Sequence, residues 1–213
     1  MKVVSALWLA DCADDSVWGA QGVALLSASE QQRYAAIQHP RRRRQFLLGR
    51  LLLRHMLTRQ FDRPLAHWQM AEQPQQAPRL LSATPRPMHF SIAHSQQRVA
   101  CFLTSDAVAG CDIEYMGRAR NVMEIAALYF NAQDVQALVA LHGSAQLQTF
   151  YRLWTQHEAR YKAAAPQAAC RTALWQDYCL GVARSAPSAV DVQLADFAGD
   201  ALTLTPLVLD WTK

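Results

Sequence analysis

Glycine is scarce, at 8 of 213 residues. The glycine-rich signatures of nucleotide and nucleophile chemistry, GxGxxG, GxxxxGK[ST] and GxSxG, are all missing. Their absence excludes the familiar phosphate-binding loop, the dinucleotide fingerprint and the nucleophile elbow. No apolar run approaches the ~20 residues a membrane span needs. The five cysteines, Cys12, Cys101, Cys111, Cys170 and Cys179, are odd in number and form no CxxC. Neither a disulfide framework nor a zinc knuckle is indicated. Cys101 and Cys111 sit in apolar runs as small core residues, and a reducing cytoplasm fits them. The start, MKVVSALWLADC, faintly resembles a lipoprotein signal, but Asp11 spoils the cleavage site and the basic region is weak. A first strand over residues 3–10 is expected instead. With 51% hydrophobic and 18% charged residues, the chain suffices for one large domain or two small ones.

Acids are nearly absent from one window. Between Arg33 and Arg63 there are nine basic residues, all Arg, and one acid, Asp62. Arginine's planar fork donates bidentately to phosphate and carboxylate, so the window predicts an anionic partner: a phosphorylated ligand, a nucleic acid or an acidic protein. A solvated helix face is the plainer alternative.

Ser27-Ala28-Ser29-Glu30 has the spacing of a capping box and opens a helix. Pro40 breaks it or starts the next one. Residues 41–60 are strongly helical, with Phe46, Leu47, Leu51, Leu53, Met56 and Leu57 forming an apolar surface and Arg43, Arg50 and Arg54 sharing another face. Residues 73–87 are a proline-rich loop. Strands are expected over 88–93, 99–103 and 108–114, the first two joined across His94-Ser95-Gln96-Gln97. Gly110 is placed to let a ligand approach the backbone. Helices are expected over 122–129, 132–142 and 148–165, then antiparallel strands over 178–183, 190–194 and 201–209. Helices mixed with non-alternating strands argue an α+β fold.

Three elements carry chemistry. Asp112-Ile113-Glu114 ends an apolar strand, where i and i+2 project to one face. Two carboxylates this close raise each other's pKa unless a cation intervenes, and hard oxygen ligands favour Mg2+ or Mn2+. A solvated strand end is the alternative. In Trp154-Thr155-Gln156-His157-Glu158-Ala159-Arg160-Tyr161-Lys162, Glu158 and Lys162 lie one helical turn apart. They form either a surface ion pair or a third carboxylate beside a cation. A zinc protease is rejected, because Tyr161 stands where HExxH needs its second His. His94-Ser95, at a strand end, could hold a phosphate through imidazolium, hydroxyl and backbone N–H, or could be a surface hairpin.

HFSIAHS, AGCDIE and LWTQHEARYKA, preceded by RRRRQFLLGRLLLRHML, together resemble the Sfp-type 4′-phosphopantetheinyl transferases over roughly residues 27 to 165. The resemblance implies a pseudo-duplicated two-subdomain α+β monomer, divided into residues 1–106, with the Arg-rich helix, and 107–213, with the carboxylates. It implies transfer of the 4′-phosphopantetheine arm of coenzyme A to a serine of an acidic acyl or peptidyl carrier protein in the cytoplasm. Adenosine 3′,5′-bisphosphate would leave, and neither nucleic acid nor membrane would be involved. By motif position, Asp112, Glu114 and Glu158 would hold Mg2+, with Mn2+ as the substitute. Glu158 and Lys162 would be the catalytic pair. Arg33, Arg43, Arg44, His94, Ser95 and His157 would bind coenzyme A. Leu128, Tyr129 and Phe130 lie where the family docks its carrier, with ordinary core packing as the alternative.

The chain departs from the family pattern at Ser91 (Asn), Ala93 (Ser), His157 (Lys) and Gln76-Ala77-Pro78 (G-K-P), all on the coenzyme A side. A carrier-binding relative with weak or no transferase activity is the alternative. A Mg2+-dependent nuclease is disfavoured, because the aromatics are not interleaved with the Arg run.

Overall fold

A strand buried on both faces cannot show polar alternation, and the first strand, β1 (Ser5–Asp11), is such a strand. Leu7 and Leu9 point to one core, and Trp8 and Ala10 to another. The computed structural model describes residues 5–12, 19–73, 76–118, 120–185, 189–198 and 201–212. Val3 and Val4 of the expected strand and Pro74 of the expected loop lie outside them.

After the short α1 (Gly19–Ala24) comes α2 (Ala28–Ala36), which has the expected capping box. The Ser27 hydroxyl accepts from the Glu30 amide, and the Glu30 carboxylate accepts from the Ser27 amide at 2.8 Å. Pro40 begins α3 (Pro40–Phe61), at a helix position that needs no N–H donor. Leu48, Leu52, Leu53, Met56 and Leu57 of α3 pack over Trp8, Val99, Cys101 and Leu103.

Arg50 and Arg54 do not share a solvated face with Arg43. Arg54 is fully buried and donates to both oxygens of Glu30, at 2.6 and 3.2 Å. Arg50 bonds Glu72 at 2.6 Å and lies 3.4 Å from Glu30. Two of the nine arginines are therefore neutralised internally, by acids just outside the Arg-rich window.

The expected proline-rich loop contains the two-residue β3 (Arg79–Leu80), which pairs with β2 (Met70–Ala71) just before the loop. Then come β4 (His89–Ser95) and β5 (Arg98–Thr104), paired antiparallel. His94 and Ser95 thus belong to the strand, and the turn is Gln96-Gln97, with Gln96 at φ 50°. The chain crosses to β6 (Gly110–Tyr115), α4 (Val122–Tyr129), α5 (Ala132–Val139), α6 (Gly143–Lys162), β7 (Ala169–Trp175) and β8 (Tyr178–Arg184). It ends with β9 (Asp191–Ala198) and β10 (Ala201–Pro206). The sheets are ordered β10-β9-β1-β5-β4 and β6-β8-β7.

Strand β7 was not expected from sequence; β9 pairs antiparallel with β10, as expected, and on its other side runs parallel to β1. The expected division near Asp106 falls between β5 and β6, where the chain leaves the first sheet. Residues 191–206 then return to that sheet beside β1. The sheets share a core in which Leu7, Leu9, Ala100 and Phe102 meet Cys111, Ile113, Leu180 and Val182. Among the described residues no helix is long and apolar enough to cross a membrane.

Helix α6 lies against β6 and β8 at two glycines. A Cβ on Gly110 would sit 1.9 Å from the Ala159 carbonyl oxygen, and one on Gly181 would sit 2.6 Å from that of Thr155. The close backbone approach at Gly110 is therefore made by α6 and not by a ligand. It brings the carboxyl-terminal half of α6 against the strand that carries Asp112.

Candidate active site

Asp112 is buried on β6, and its Oδ1 accepts from Lys162 Nζ of α6 at 2.7 Å. Its Oδ2 is buried with no hydrogen-bond partner among the described residues. Burial pushes the Asp112 carboxyl up to about 6, Lys162 pulls it back, and the charges of Glu114 and Glu158 raise it further. Burial pulls Lys162 down, but Asp112, Cys111 and Glu158 outweigh it, so the ammonium is held above its usual range. Glu158 precedes Lys162 by one turn of α6. Glu114 accepts from Trp154 Nε1 at 3.3 Å on one oxygen, and from Ser95 Oγ at 3.0 Å and Arg120 at 3.5 Å on the other.

Among the described residues no three His, Cys, Asp or Glu side chains already form a metal cage. The donor set nevertheless suits a hard divalent cation. All three candidates are carboxylates, they feel one another's charge, and one buried oxygen of Asp112 lacks a partner.

Lys162 also lines a cavity of about 820 Å3, within the size range of small-molecule sites. Its walls include Arg33 of α2, Arg42, Phe46 and Arg50 of α3, the segment Gln76-Ala77-Pro78, and Ser91 and His94 of β4. Arg42 was not among the sequence candidates. The available signal was spacing: Arg42, Phe46 and Arg50 lie at i, i+4 and i+8, on one helix face. Arg42 contacts the His94 ring at 2.9 Å. Burial, then the charges of Arg42 and Lys162, lower His94 to about 4. His94 is therefore a neutral imidazole beside two cations, rather than the imidazolium that would hold a phosphate, because protonation would add a third positive charge in a half-buried place.

The other expected coenzyme A residues, Arg43, Arg44, Ser95 and His157, are not among those that line this cavity. Arg43 donates to the Ile37 carbonyl at 2.8 and 3.1 Å, with its guanidinium 5.4 Å from the Tyr34 ring centroid. Arg44 acts electrostatically on the Cys12 thiol. The Ser95 hydroxyl is engaged by Glu114 and the Tyr115 amide. The His157 ring stacks 6.1 Å from Trp154 and meets Tyr129 at 5.9 Å. One position before Glu158 on a helix, it is turned about 100° from that residue's direction. Beside it Leu128 and Tyr129 are exposed, whereas Phe130 packs into the core with Phe150.

The family model for the 4′-phosphopantetheinyl transferase superfamily matches residues 109–199. The 4′-phosphopantetheinyl transferase AcpT of Salmonella typhi is 30% identical over 192 residues, 88% of this chain and 91% of that one. A relative from Synechocystis sp. is 35% identical over 140 residues, 66% of this chain. The AcpT protein of Escherichia coli K12 is 35% identical over 130 residues, 61% of this chain. The chain spans 57% of the Synechocystis relative and 62% of the Escherichia coli one.

Proposed function

Since this chain belongs to the 4′-phosphopantetheinyl transferase superfamily, we propose that it transfers the 4′-phosphopantetheine of coenzyme A to a serine of an acyl or peptidyl carrier protein. The observation that carries this reading is the cavity with Arg33, Arg42 and Lys162 on its walls, next to the buried, half-unpartnered Asp112. Cationic walls suit a polyanionic substrate, and the carboxylates suit the reacting end of it.

Asp112, Glu114 and Glu158 would hold a divalent cation, Mg2+ or Mn2+, which when bound neutralises charge on the phosphoanhydride oxygens. Glu158 accepts the proton of the carrier serine as its oxygen bonds to the phosphorus of the phosphopantetheine arm. The phosphoanhydride bond breaks, and adenosine 3′,5′-bisphosphate leaves with the bonding pair. Lys162, charged and already beside Asp112, stabilises that leaving phosphate. Arg33 and Arg42 bind the phosphates remote from the reaction, with the neutral His94 orienting Arg42. The protein works as a cytoplasmic, two-subdomain, pseudo-duplicated monomer, and its basic surface steers an acidic carrier.

The test is a mass spectrum of an apo carrier protein incubated with the chain, coenzyme A and Mg2+. A gain of one phosphopantetheine on the carrier is expected. A carrier that binds the chain and stays unmodified would overturn transfer in favour of a docking role.

A further inference from the structure

We infer that Ser95 and Trp154 are positioning residues that fix the Glu114 carboxylate for cation binding. The inference rests on the cation role proposed above for Glu114. Each oxygen of Glu114 receives one neutral donor: Trp154 Nε1 at 3.3 Å on Oε1 and Ser95 Oγ at 3.0 Å on Oε2. A carboxylate offers about four lone-pair sites, so Oε1, with Trp154 as its single donor, keeps capacity for a cation, whereas Oε2 also meets Arg120. The donors are neutral and leave the carboxylate's charge intact, unlike the longer contact from Arg120 at 3.5 Å.

Both donors are themselves held in place. The amide of Tyr115 donates to Ser95 Oγ at 3.0 Å, which directs the hydroxyl hydrogen to Glu114. Ser95 thus ties the end of β4 to the end of β6. The Trp154 indole is stacked on Phe150 at 6.2 Å and 13° and met edge-on by Tyr129 at 5.3 Å. Packing therefore aims its N–H before any ligand arrives. Outer donors of this kind keep a ligating carboxylate in one orientation, and their loss costs roughly 10–100-fold in metal affinity.

The experiment measures Mn2+ binding by the loss of the free-ion electron paramagnetic resonance signal, with neither coenzyme A nor carrier present. Wild type is compared with Ser95→Ala, Ser95→Thr and Trp154→Phe. Phe keeps the stacking and removes the donor. Thermal melting runs beside it, so that an unfolded variant is recognised and the other one decides. Trp154→Phe and Ser95→Ala should each weaken Mn2+ about tenfold or more, while Ser95→Thr, which keeps the hydroxyl, restores wild-type binding.

The same shift should appear in the Mg2+ requirement for transfer, with kcat recovering at high metal. Folded variants that bind Mn2+ like wild type would overturn the inference. So would a Ser95→Ala variant whose defect lies wholly in KM for coenzyme A. A wild type that binds no Mn2+ would overturn it as well. A wild type that binds Mn2+ but modifies no carrier would refute the proposed transfer and leave this inference to the binding data.

Discussion

Replacing Glu30 by Gln removes one negative charge from the interior and changes little else. Glu30 is fully buried, and so is Arg54, which donates to its two oxygens at 2.6 and 3.2 Å. Gln can still accept from the Ser27 amide, so the capping box at the start of α2 survives. What is lost is the counter-charge of a guanidinium with no access to water. Removing one partner of such a pair costs about 3–5 kcal/mol.

For a chain of this size 1 kcal/mol moves Tm by about 2–4 °C, so a fall of roughly 10 °C is expected. Arg54→Met should cost less, because Glu30 keeps Arg50 at 3.4 Å. The double variant should recover part of the Glu30→Gln loss, since it buries no unpaired charge. Thermal and urea unfolding of the four proteins measure this. A loss under 1 kcal/mol for Glu30→Gln, or a double variant whose losses simply add, would refute the account of a buried charge cluster.

Three further outcomes are expected. Burial raises Asp112 to about 6 from the ordinary 3.8, so its contribution to stability is fully present below about pH 4 and is lost as pH rises through 6. In chelator at pH 7.5, Asp112→Asn should therefore be more stable than wild type by about 1–2 kcal/mol, an advantage that vanishes near pH 4. A wild type more stable at pH 7.5 would contradict the burial argument. Arg42→Met should raise the His94 pKa, read by nuclear magnetic resonance, and also raise KM for coenzyme A. An unmoved His94 would deny their contact. Gly110→Ala should displace α6 from β6, lowering Tm and activity together, because its methyl meets the Ala159 carbonyl, and an undisturbed protein would show that the two backbones are not so close.

Local rules were legible in the chain itself. The capping box at Ser27–Glu30, the proline start of α3, the limits of α4 and the pairing of β4 with β5 follow from spacing and side-chain chemistry. So did the placing of Asp112 and Glu114 on one strand and of Glu158 and Lys162 one turn apart. What sequence alone left undecided depends on neighbours distant along the chain. Arg50 and Arg54 read as surface charge because Glu30 and Glu72 lie outside the Arg run, and folding brings them together.

Strand β7 carries the mixed pattern of a strand at a sheet edge and shows no clear period. The parallel pairing of β9 with β1 joins the two ends of the chain, which no local signal announces. His157 and Ser95 sit in motifs that suggest phosphate contacts. The direction each side chain takes is set by the aromatic pile around Trp154 and by Glu114, respectively. Periodicity tells which side chains share a face, but which partner meets that face is decided by packing, because burial and charge pairing are settled between elements rather than within them.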